Sequence, residues 1–532
     1  MNRGQLSWEY RRRGYWRTET LPQRLARVCV ETPHRPAIVD GERRFSFREM
    51  DVLVGRLSRR LADLGVQARD VVSWQLPNWW EAVVVHHAAL RLGAIPNPIS
   101  PIYRAHELRF VIGDARPKVL VVPKTFRGFG YAALAKKIRA DAPSLEHVIV
   151  ARGSIAGAVE LDELLSKEGP PLPWVTTGDP TGLALLLYTS GTTSDPKGVQ
   201  HSHETLMYEL ESLRDIHSIT ADDTYLGGAP VAHVAGLVYG VLMPFALGTR
   251  TVLLDRWEAG RAVELIERER VTFQTGTPTF LQTLAEEPMV EKRDISSFRL
   301  FSTGGANIAA EMVRDASKRL GCMVKRAYGS TEVPTLTATS VDDPEEVRLE
   351  TDGRPIGPAE MRIVDSNARD VRPGAEGEIW ARSPEVFLGY RNPSLDREAF
   401  APDAWYRTED LGRVDEDGCL RVTGRLKDVV IRGGENISVK EVEDLLSEHP
   451  SVADAAIVGM PDPVLGERAC AFVVPQGRKP PTLEILVDFL RSREIAPQKL
   501  PERLELRKSL PKTESGKVMK SKLREELSRE AR

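Results

Sequence analysis

The sequence predicts an α/β protein built from several packing units. With 532 residues, the chain is long enough for three or four units of ~150 residues each. Its first 180 or so residues alternate helix-like and strand-like segments, a pattern typical of helices layered on a parallel sheet. The last hundred residues carry their own helices and strands, which indicates a separate, smaller domain.

The N-terminal region predicts regular strand–helix alternation. Helices are predicted at 21–30, 47–64 and 81–92, and strands at 37–41, 71–76 and 118–122. In the second helix, Leu53, Leu57, Leu61 and Leu64 recur at spacings of four and three, so they share one helical face. The apolar run 118–122 is typical of a strand buried in a parallel sheet.

A Pro/Gly-rich stretch, 169–182, predicts a connection to a second α/β unit that ends near residue 339. Strands are predicted there at 183–188, 251–254 and 299–301. Short strands with turn residues between 353 and 422 indicate a small β unit. The C-terminal piece predicts helices at 439–449 and 483–490 and strands at 455–458 and 470–474.

Composition excludes several classes of protein. Lys and Arg total 73 against 76 Asp and Glu, so a polycation that binds nucleic acid is not expected. Four cysteines lie far apart, which disfavours a disulfide framework and a zinc site. No apolar run follows the charged N-terminus or approaches the ~20 residues of a membrane helix. We therefore expect a cytoplasmic enzyme without a membrane span, acting on small molecules as a monomer or homodimer.

The segment 188–198, Tyr-Thr-Ser-Gly-Thr-Thr-Ser-Asp-Pro-Lys-Gly, follows an apolar strand. Glycines let backbone N–H groups approach an anion, hydroxyls donate to phosphate oxygens, and a lysine adds charge. The pattern is not a Walker A loop. It resembles the phosphate-binding signature of the adenylate-forming superfamily, which includes acyl-CoA synthetases, peptide-synthetase adenylation domains and luciferases. The resemblance implies that the β- and γ-phosphates of ATP bind Thr189, Ser190, Gly191, Thr192, Thr193 and Lys197.

Further motifs of this superfamily follow in the expected order. Residues 328–332 resemble its Tyr-Gly-x-Thr-Glu motif. The resemblance implies that Tyr328 stacks on the adenine, Gly329 contacts the nucleotide, Thr331 binds the AMP phosphate, and Glu332 binds Mg²⁺. The turn 302–306 resembles the one along the nucleotide, with Gly305 and Ala306 as nucleotide contacts. Arg326 occupies a position where relatives often place an amide or acid near the adenine amino group.

The last motifs join the ribose site to a mobile domain. Residues 406–410 resemble Tyr-Arg-Thr-Gly-Asp; Asp410 would accept from the ribose hydroxyls, and Glu409, in place of the usual glycine, is expected to face solvent. Residues 424–428 resemble the hinge motif, with Arg425 near ribose and phosphate and Lys427 as pivot. By the same resemblance, the CoA-tunnel residues are Gly433, Gly434 and Glu435, and the catalytic lysine is Lys517.

The resemblance implies a large N-terminal domain at 1–426 and a mobile, smaller α+β lid at 427–532. Two α/β layers, about 1–180 and 181–345, and a small β-barrel, 346–426, would form the larger domain. The implied cofactors and co-substrates are ATP, Mg²⁺ and CoA. The implied reaction converts a carboxylate and ATP to acyl-AMP and pyrophosphate, after which a thiol displaces AMP; Lys517, Thr331 and Glu332 are the predicted catalytic residues.

The chemical class of the carboxylic acid substrate is predicted from the segment 229–238 and the turn at 304–305. The predicted acyl pocket consists of His233, Val234, Leu237 and Gly304, and its apolar side chains favour an uncharged apolar acid, fatty or alicyclic. An aromatic acid stays open, because 10–16 is similar to aryl-acid-activating enzymes. Two alternatives remain: a stand-alone enzyme that loads a separate carrier protein, and a non-catalytic protein on the same fold.

Overall fold

A computed structural model describes residues 3–167, 169–174, 178–189, 196–305, 310–428, 430–432, 435–437, 439–462, 466–477, 479–493, 495, 499–513 and 516–530. The strands are β1 Pro36–Asp40, β2 Arg43–Ser46, β3 Val71–Trp74, β4 Ile95–Pro98, β5 Val119–Pro123, β6 His147–Ala151, β7 Val159–Glu160, β8 Leu183–Thr189, β9 Lys197–Ser202, β10 Thr224–Gly227, β11 Arg250–Leu253, β12 Phe273–Gly276, β13 Leu300–Gly304, β14 Met323–Tyr328, β15 Thr337–Ala338, β16 Arg354–Pro355, β17 Glu360–Val364, β18 Gly377–Arg382, β19 Gly389–Tyr390, β20 Tyr406–Val414, β21 Leu420–Arg425, β22 Val430–Arg432, β23 Glu435–Ile437, β24 Val452–Asp462, β25 Gly466–Pro475 and β26 Arg503–Leu506.

Helices cover the faces of these sheets. They are α1 Arg3–Arg12, α2 Leu21–Glu31, α3 Phe47–Asp63, α4 Trp80–Arg91, α5 Ala105–Ala115, α6 Tyr131–Ala140, α7 Leu161–Ser166, α8 His203–His217, α9 Val234–Leu237, α10 Met243–Leu247, α11 Ala259–Glu269, α12 Pro278–Ala285, α13 Ala310–Leu320, α14 Glu345–Glu350, α15 Asp396–Ala399, α16 Val439–Ser447, α17 Leu483–Ser492 and α18 Lys520–Glu530.

The largest sheet has the strand order β16-β15-β14-β13-β12-β10-β11-β1-β2, with parallel pairing from β1 through β14. β1 pairs with β11 in the register Ile38 to Thr251. This sheet therefore takes strands from both sides of the sequence connection at 169–182. A second, parallel sheet of order β4-β3-β5-β6-β7 belongs to the first 160 residues alone.

The remaining sheets are mostly antiparallel. β17-β18-β20-β21 form the predicted small β unit, and β19-β9-β8 form a three-stranded sheet that begins the phosphate segment. In the C-terminal part, β23-β22-β25-β24 form a sheet on which α16 and α18 pack, with β26 added beside β25. The prediction of an α/β protein with a large N-terminal part and a smaller C-terminal part is confirmed.

Four parallel strands of the largest sheet end at one place. The carboxyl ends of β10, β12, β13 and β14 lead into segments that line one cavity. Ligands of open α/β sheets bind in the crevice outside the carboxyl ends of such strands. Among the described residues, no helix combines the length and apolar character needed to cross a membrane.

Candidate active site

The cavity at these strand ends encloses about 420 Å³. Its lining residues come from separate stretches of the chain between Leu187 and Lys517. The predicted site residues that line it are Thr189, Lys197, His233, Val234, Gly304, Gly305, Tyr328, Gly329, Thr331, Glu332, Asp410, Arg425 and Lys517. Residues from both the large N-terminal part and the C-terminal part thus share one cleft.

Several other predicted site residues lie outside the described residues; they are Ser190, Gly191, Thr192, Thr193, Ala306, Gly433 and Gly434. Lys427 lies in a short 3₁₀ turn, Leu426–Asp428, directly after β21. Glu435 begins β23. Their predicted roles in phosphate binding, in the hinge and in CoA binding stay predictions.

Asp410 is the centre of a buried polar cluster. One carboxylate oxygen, Oδ2, accepts from the Tyr328 hydroxyl at 2.8 Å, and the other, Oδ1, pairs with Arg425 Nε at 2.8 Å. The pairing of β20 with β21 places Asp410 opposite Arg425, so the ion pair follows from strand register. Proximity to Asp410 is the main reason that the pKa of Arg425 is raised. The cluster fixes a carboxylate and a guanidinium side by side at the cavity wall.

Glu332 also lines the cavity. Its Oε1 accepts from the Tyr390 hydroxyl at 2.9 Å, and the ammonium of Lys197 lies 5.1 Å from the centre of the Tyr390 ring. The adjacent Thr331 carbonyl is held by His201 Nε2 at 2.7 Å. Burial, and then the Glu332 charge, raise the pKa of the Tyr390 hydroxyl well above its ordinary range, so Tyr390 remains a donor.

Lys517 enters the cavity from the C-terminal part. The turn that presents it closes through Thr513 N–H to Lys517 O at 2.8 Å and Gly516 N–H to Thr513 O at 2.9 Å. Gly516 has φ +81, and a Cβ there would lie 3.0 Å from Thr279 Oγ1 of α12, so the turn is packed against the N-terminal part. Burial, and then the neighbouring Arg425, lower the pKa of Lys517 to about 8.

Glycines let the backbone line the cleft closely. A Cβ on Gly304 would lie 2.5 Å from Ala327 O on the paired strand β14, and one on Gly329 would collide with Pro334 O. Gly305 has φ +78, which L side chains rarely adopt. The turn after β13 and the turn after β14 therefore present bare backbone to a ligand.

Two expectations at this site need correction. Glu409 lines the cavity instead of facing solvent, and its φ of +60 explains why a glycine suits this position. Arg326 does not line the cavity; it forms a buried ion pair with Asp352 at 2.7 Å and donates to Leu349 O at 2.9 Å. Both contacts hold the Arg326 side chain against the large sheet, away from the cavity.

The helical stretch 234–247, which includes the end of the predicted acyl segment 229–238, is interrupted by a π turn, Val238–Leu242, between α9 and α10. Leu237 is fully buried in the hydrophobic core and is not among the cavity-lining residues, whereas Val238 and Tyr239, one and two positions later, line it. The wider turn changes which side chains face the cleft. His233 lines the cleft too, and burial lowers its pKa, so it is neutral.

The cavity is more polar than the sequence predicts. Glu209 on α8 and Thr335 line it together with Tyr239. Sequence reasoning missed these residues and Tyr390. A signal for Glu209 was present: it lies one helical turn after Leu206 on the buried face of α8, where a carboxylate is unusual. Nothing comparable marks Tyr390, which reaches Glu332 only through the pairing of β19 with β9.

Comparisons with known proteins show the family to which the chain belongs. Residues 25–391 match the family model of the AMP-binding enzyme, and residues 441–517 match that of the AMP-binding enzyme C-terminal domain. The chain is 36% identical over 527 residues to 2,3-dihydroxybenzoate-AMP ligase of Bacillus subtilis (98% of this chain, 96% of the relative). It is 33% identical over 529 residues to medium-chain fatty-acid–CoA ligase of Escherichia coli (98% and 92%).

A solved structure is similar to this chain over almost its whole length. ATP-bound MatB of Rhodopseudomonas palustris is similar over 96% of this chain and 99% of its own, with a TM-score of 0.86 and 28% identity. The family match covers more than half of the chain, and both relatives are covered almost completely. The chain belongs to the AMP-binding enzyme family, the adenylate-forming ligases that activate acids with ATP.

Proposed function

We propose that this enzyme activates a small carboxylic acid as its acyl-adenylate and then transfers the acyl group to the thiol of CoA. The observation that carries the proposal is the convergence of Lys517, Asp410 and Glu332 on one cavity. A cation, a ribose acceptor and a metal-binding carboxylate are the groups that attack of a carboxylate on the α-phosphorus requires. The non-catalytic alternative is disfavoured because all three are present.

In the first half-reaction, the carboxylate oxygen bonds to the α-phosphorus while the bond to pyrophosphate breaks. Lys517 would stabilise the charge that gathers between the carboxylate and the α-phosphate, and Thr331 would donate to the phosphate. Asp410 would accept from the ribose hydroxyls while Arg425 holds it in place. Thr189, the last residue of β8, pairs with Lys197, the first residue of β9, and both would bind the outer phosphates together with the loop between them.

Glu332 fits a Mg²⁺ ion that travels with the nucleotide. Such an ion is held by one or two carboxylates plus substrate phosphates, at oxygen ligands. Glu332 supplies one buried carboxylate at the cavity wall, with the Tyr390 hydroxyl fixing one of its oxygens. When bound, the ion would neutralise the phosphate charge that otherwise repels the carboxylate.

For the second half-reaction, we propose that the part after residue 426 rotates about Lys427. The rotation would withdraw Lys517 and bring Gly433, Gly434 and Glu435 to the thiol's path, in keeping with hinge motions that reassemble active sites. The same proposal divides the chain into a domain at 1–426 and a lid at 427–532. Thiolate attack on the acyl carbon would then expel AMP.

A separate carrier protein is the alternative to CoA as the acyl acceptor. The similarity to a fatty-acid–CoA ligase favours CoA, whereas the similarity to a dihydroxybenzoate-AMP ligase supports aryl-acid activation for a separate carrier protein. The wall of Val234, Ala235 and Val238 suits an apolar skeleton, fatty, alicyclic or aromatic.

Acid-dependent ATP–pyrophosphate exchange across fatty, alicyclic and aromatic acids tests activation. AMP release with CoA alone, against phosphopantetheinylated carrier protein alone, tests the acceptor. Exchange with some acid and turnover with CoA support the proposal. Exchange without CoA turnover assigns the carrier instead, and no exchange with any acid contradicts the proposed activity.

A further inference from the structure

The π turn that follows α9 borders the cavity at a weak point of its own helix. Met243 N–H donates to Val238 O, five residues back, where an α-helix would bond four residues back. Pro244, the second residue of α10, has no N–H to donate to the Gly240 carbonyl four residues before it. The helical hydrogen bonding is thus interrupted beside the cavity, and a contact from elsewhere in the fold is needed to hold the turn.

His87 of α4 supplies such a contact from the core. Its Nε2 lies 2.9 Å from the carbonyl oxygen of Val241, inside the turn, although the two residues are 154 positions apart. A carbonyl oxygen only accepts, so Nε2 carries the ring proton and donates. Burial lowers the pKa of His87 to about 4, so the ring is neutral at pH 7 and Nδ1 is unprotonated. Nδ1 has no hydrogen-bond partner among the described residues, so the bond to Val241 is the polar contact that orients the ring.

The donor belongs to a rigid element. Every residue of α4 is buried. The His87 ring packs edge-on against the ring of Phe245 in α10, with the ring centres 4.5 Å apart. His87 therefore contacts the turn through Val241 and the following helix through Phe245. A side chain that is locked by packing in this way can fix the position of the backbone that it binds.

The turn has one side in the core and one side at the cavity. Val238 and Tyr239 line the cavity, whereas Leu237 and Val241 are buried in the hydrophobic core. His87 is 1% exposed and is not among the cavity-lining residues. The bond at Val241 O therefore acts on the backbone that carries Val238 and Tyr239, from behind the cavity wall.

We propose that His87 is a positioning residue that sets the width of the acyl pocket. Its donation to Val241 O holds the π turn against α4 and so keeps Val238 and Tyr239 at a fixed distance from the acyl group. This inference rests on the proposed function and adds to it a specificity-determining residue that does not touch the acid. Without the bond the wall can move, and the enzyme should discriminate less between acids of different width.

Acids of graded size and three variants test the proposal. ATP–pyrophosphate exchange is measured with straight-chain acids of increasing length and with alicyclic and aromatic acids of increasing width. His87→Gln retains an amide N–H at about the place of Nε2, so it can still donate to Val241 O. His87→Asn carries its amide too close to the backbone to reach that oxygen. His87→Phe keeps a ring against Phe245 and has no donor.

We expect His87→Gln to keep the wild-type ranking of the acids. In His87→Asn and His87→Phe, the ratio of kcat/KM between the preferred acid and a wider acid should fall by about fivefold, the effect of one neutral hydrogen bond. The change should come through KM for the acid, with KM for ATP unchanged. His86→Asn is the matched control, because it removes the neighbouring buried histidine, whose ring packs against Trp74 of β3. It should lower the melting temperature and keep the ranking.

The outcomes are separable. An unchanged ranking in folded His87→Asn and His87→Phe overturns the inference and leaves the proposed function standing. A His87→Gln variant that loses discrimination as the other two do overturns it as well, since the donor would then not be what matters. Exchange with none of the acids in the wild type contradicts the proposed function itself. Should His87→Asn not fold, His87→Phe and His87→Gln decide.

Discussion

The Tyr390 hydroxyl donates to Glu332 Oε1 at 2.9 Å, although the two residues are 58 positions apart. The bond orients the carboxyl group that is proposed to bind Mg²⁺, because the Tyr390 hydroxyl donates to one of its two oxygens. Lys197, over the ring of the same tyrosine, connects this bond to the phosphate segment. Tyr390 is thus a positioning residue for two proposed nucleotide contacts.

Tyr390→Phe tests that role. A hydrogen bond to a charged group contributes ~1.5–3 kcal/mol, so the variant should need about tenfold more Mg²⁺ for half-maximal pyrophosphate exchange. Loss of a merely structural contact would lower the melting temperature without moving the Mg²⁺ dependence. Tyr15→Phe, outside the cavity, serves as control.

Lys517→Ala should separate the two half-reactions. Adenylation should fall by about 10²–10³-fold, because a charge that stabilises the transition state is removed, whereas thioester formation from preformed acyl-AMP should persist. Both steps are measured separately, by pyrophosphate exchange and by acyl-CoA formation. Lys508→Ala, an exposed lysine nearby in the chain, should leave both unchanged. Equal losses in the two steps would reject the assignment.

The pKa of Lys517 predicts an alkaline limit to adenylation. Burial, followed by Arg425, lowers this pKa to about 8, and the proposed role needs the charged form. The kcat/KM for adenylation should therefore be retained below pH 8 and should decline as the pH rises through that value. Lys517→Arg, whose charge persists, should show lower activity without this decline. A wild-type profile that stays flat to about pH 9 would contradict the prediction.

Arg326→Met should destabilise the fold without altering the site chemistry. Breaking a buried ion pair leaves Asp352 uncompensated, which costs ~3–5 kcal/mol. Urea unfolding measures the loss, and Arg319→Met, at an exposed position on α13, is the matched control. A loss no larger than that of the control would show that the Asp352 pair contributes little.

Glu409→Gly should stabilise the protein by about 0.5–1 kcal/mol. The left-handed conformation raises the free energy of the folded state by ~1–2 kcal/mol for an L residue and not for glycine. Glycine loses more conformational entropy on folding, which reduces the gain by ~0.5–1 kcal/mol. Glu409→Ala removes the same carboxylate but keeps φ near +60, so it should not gain this stability. Equal unfolding free energies for the two variants would assign the effect to charge instead of backbone.

Sequence reasoning succeeds where periodicity and motif order are strong. The helix predicted at 47–64 is observed at Phe47–Asp63, and the strand predicted at 183–188 is observed at Leu183–Thr189. The motif around Tyr328 and the one around Asp410 meet in a hydrogen bond, although they lie 82 residues apart. Such local patterns encode elements and motifs well.

Contacts that depend on strand order and side-chain packing could not be predicted from local sequence patterns. The pairing of β1 with β11 depends on contacts 213 residues apart, which no local pattern specifies. The apolar side chains of 234–238 predict an apolar pocket. The polar lining residues Glu209, on α8, and Thr335 come from other parts of the chain, which tertiary packing brings to the cavity. Arg326 likewise forms its ion pair with Asp352, a residue outside the motif that contains Arg326.

The π turn at Val238–Leu242 contains one residue more than an α-helical turn over the same path. Removing a single residue there would rotate Val238 and Tyr239 by about a quarter of a turn relative to the cleft while leaving α10 in its place against the core. A one-codon deletion or insertion can therefore exchange the side chains that meet the acid without disturbing the sheet behind them. If the proposed function holds, the length of this helix would set which side chains meet the acid, in addition to their identity.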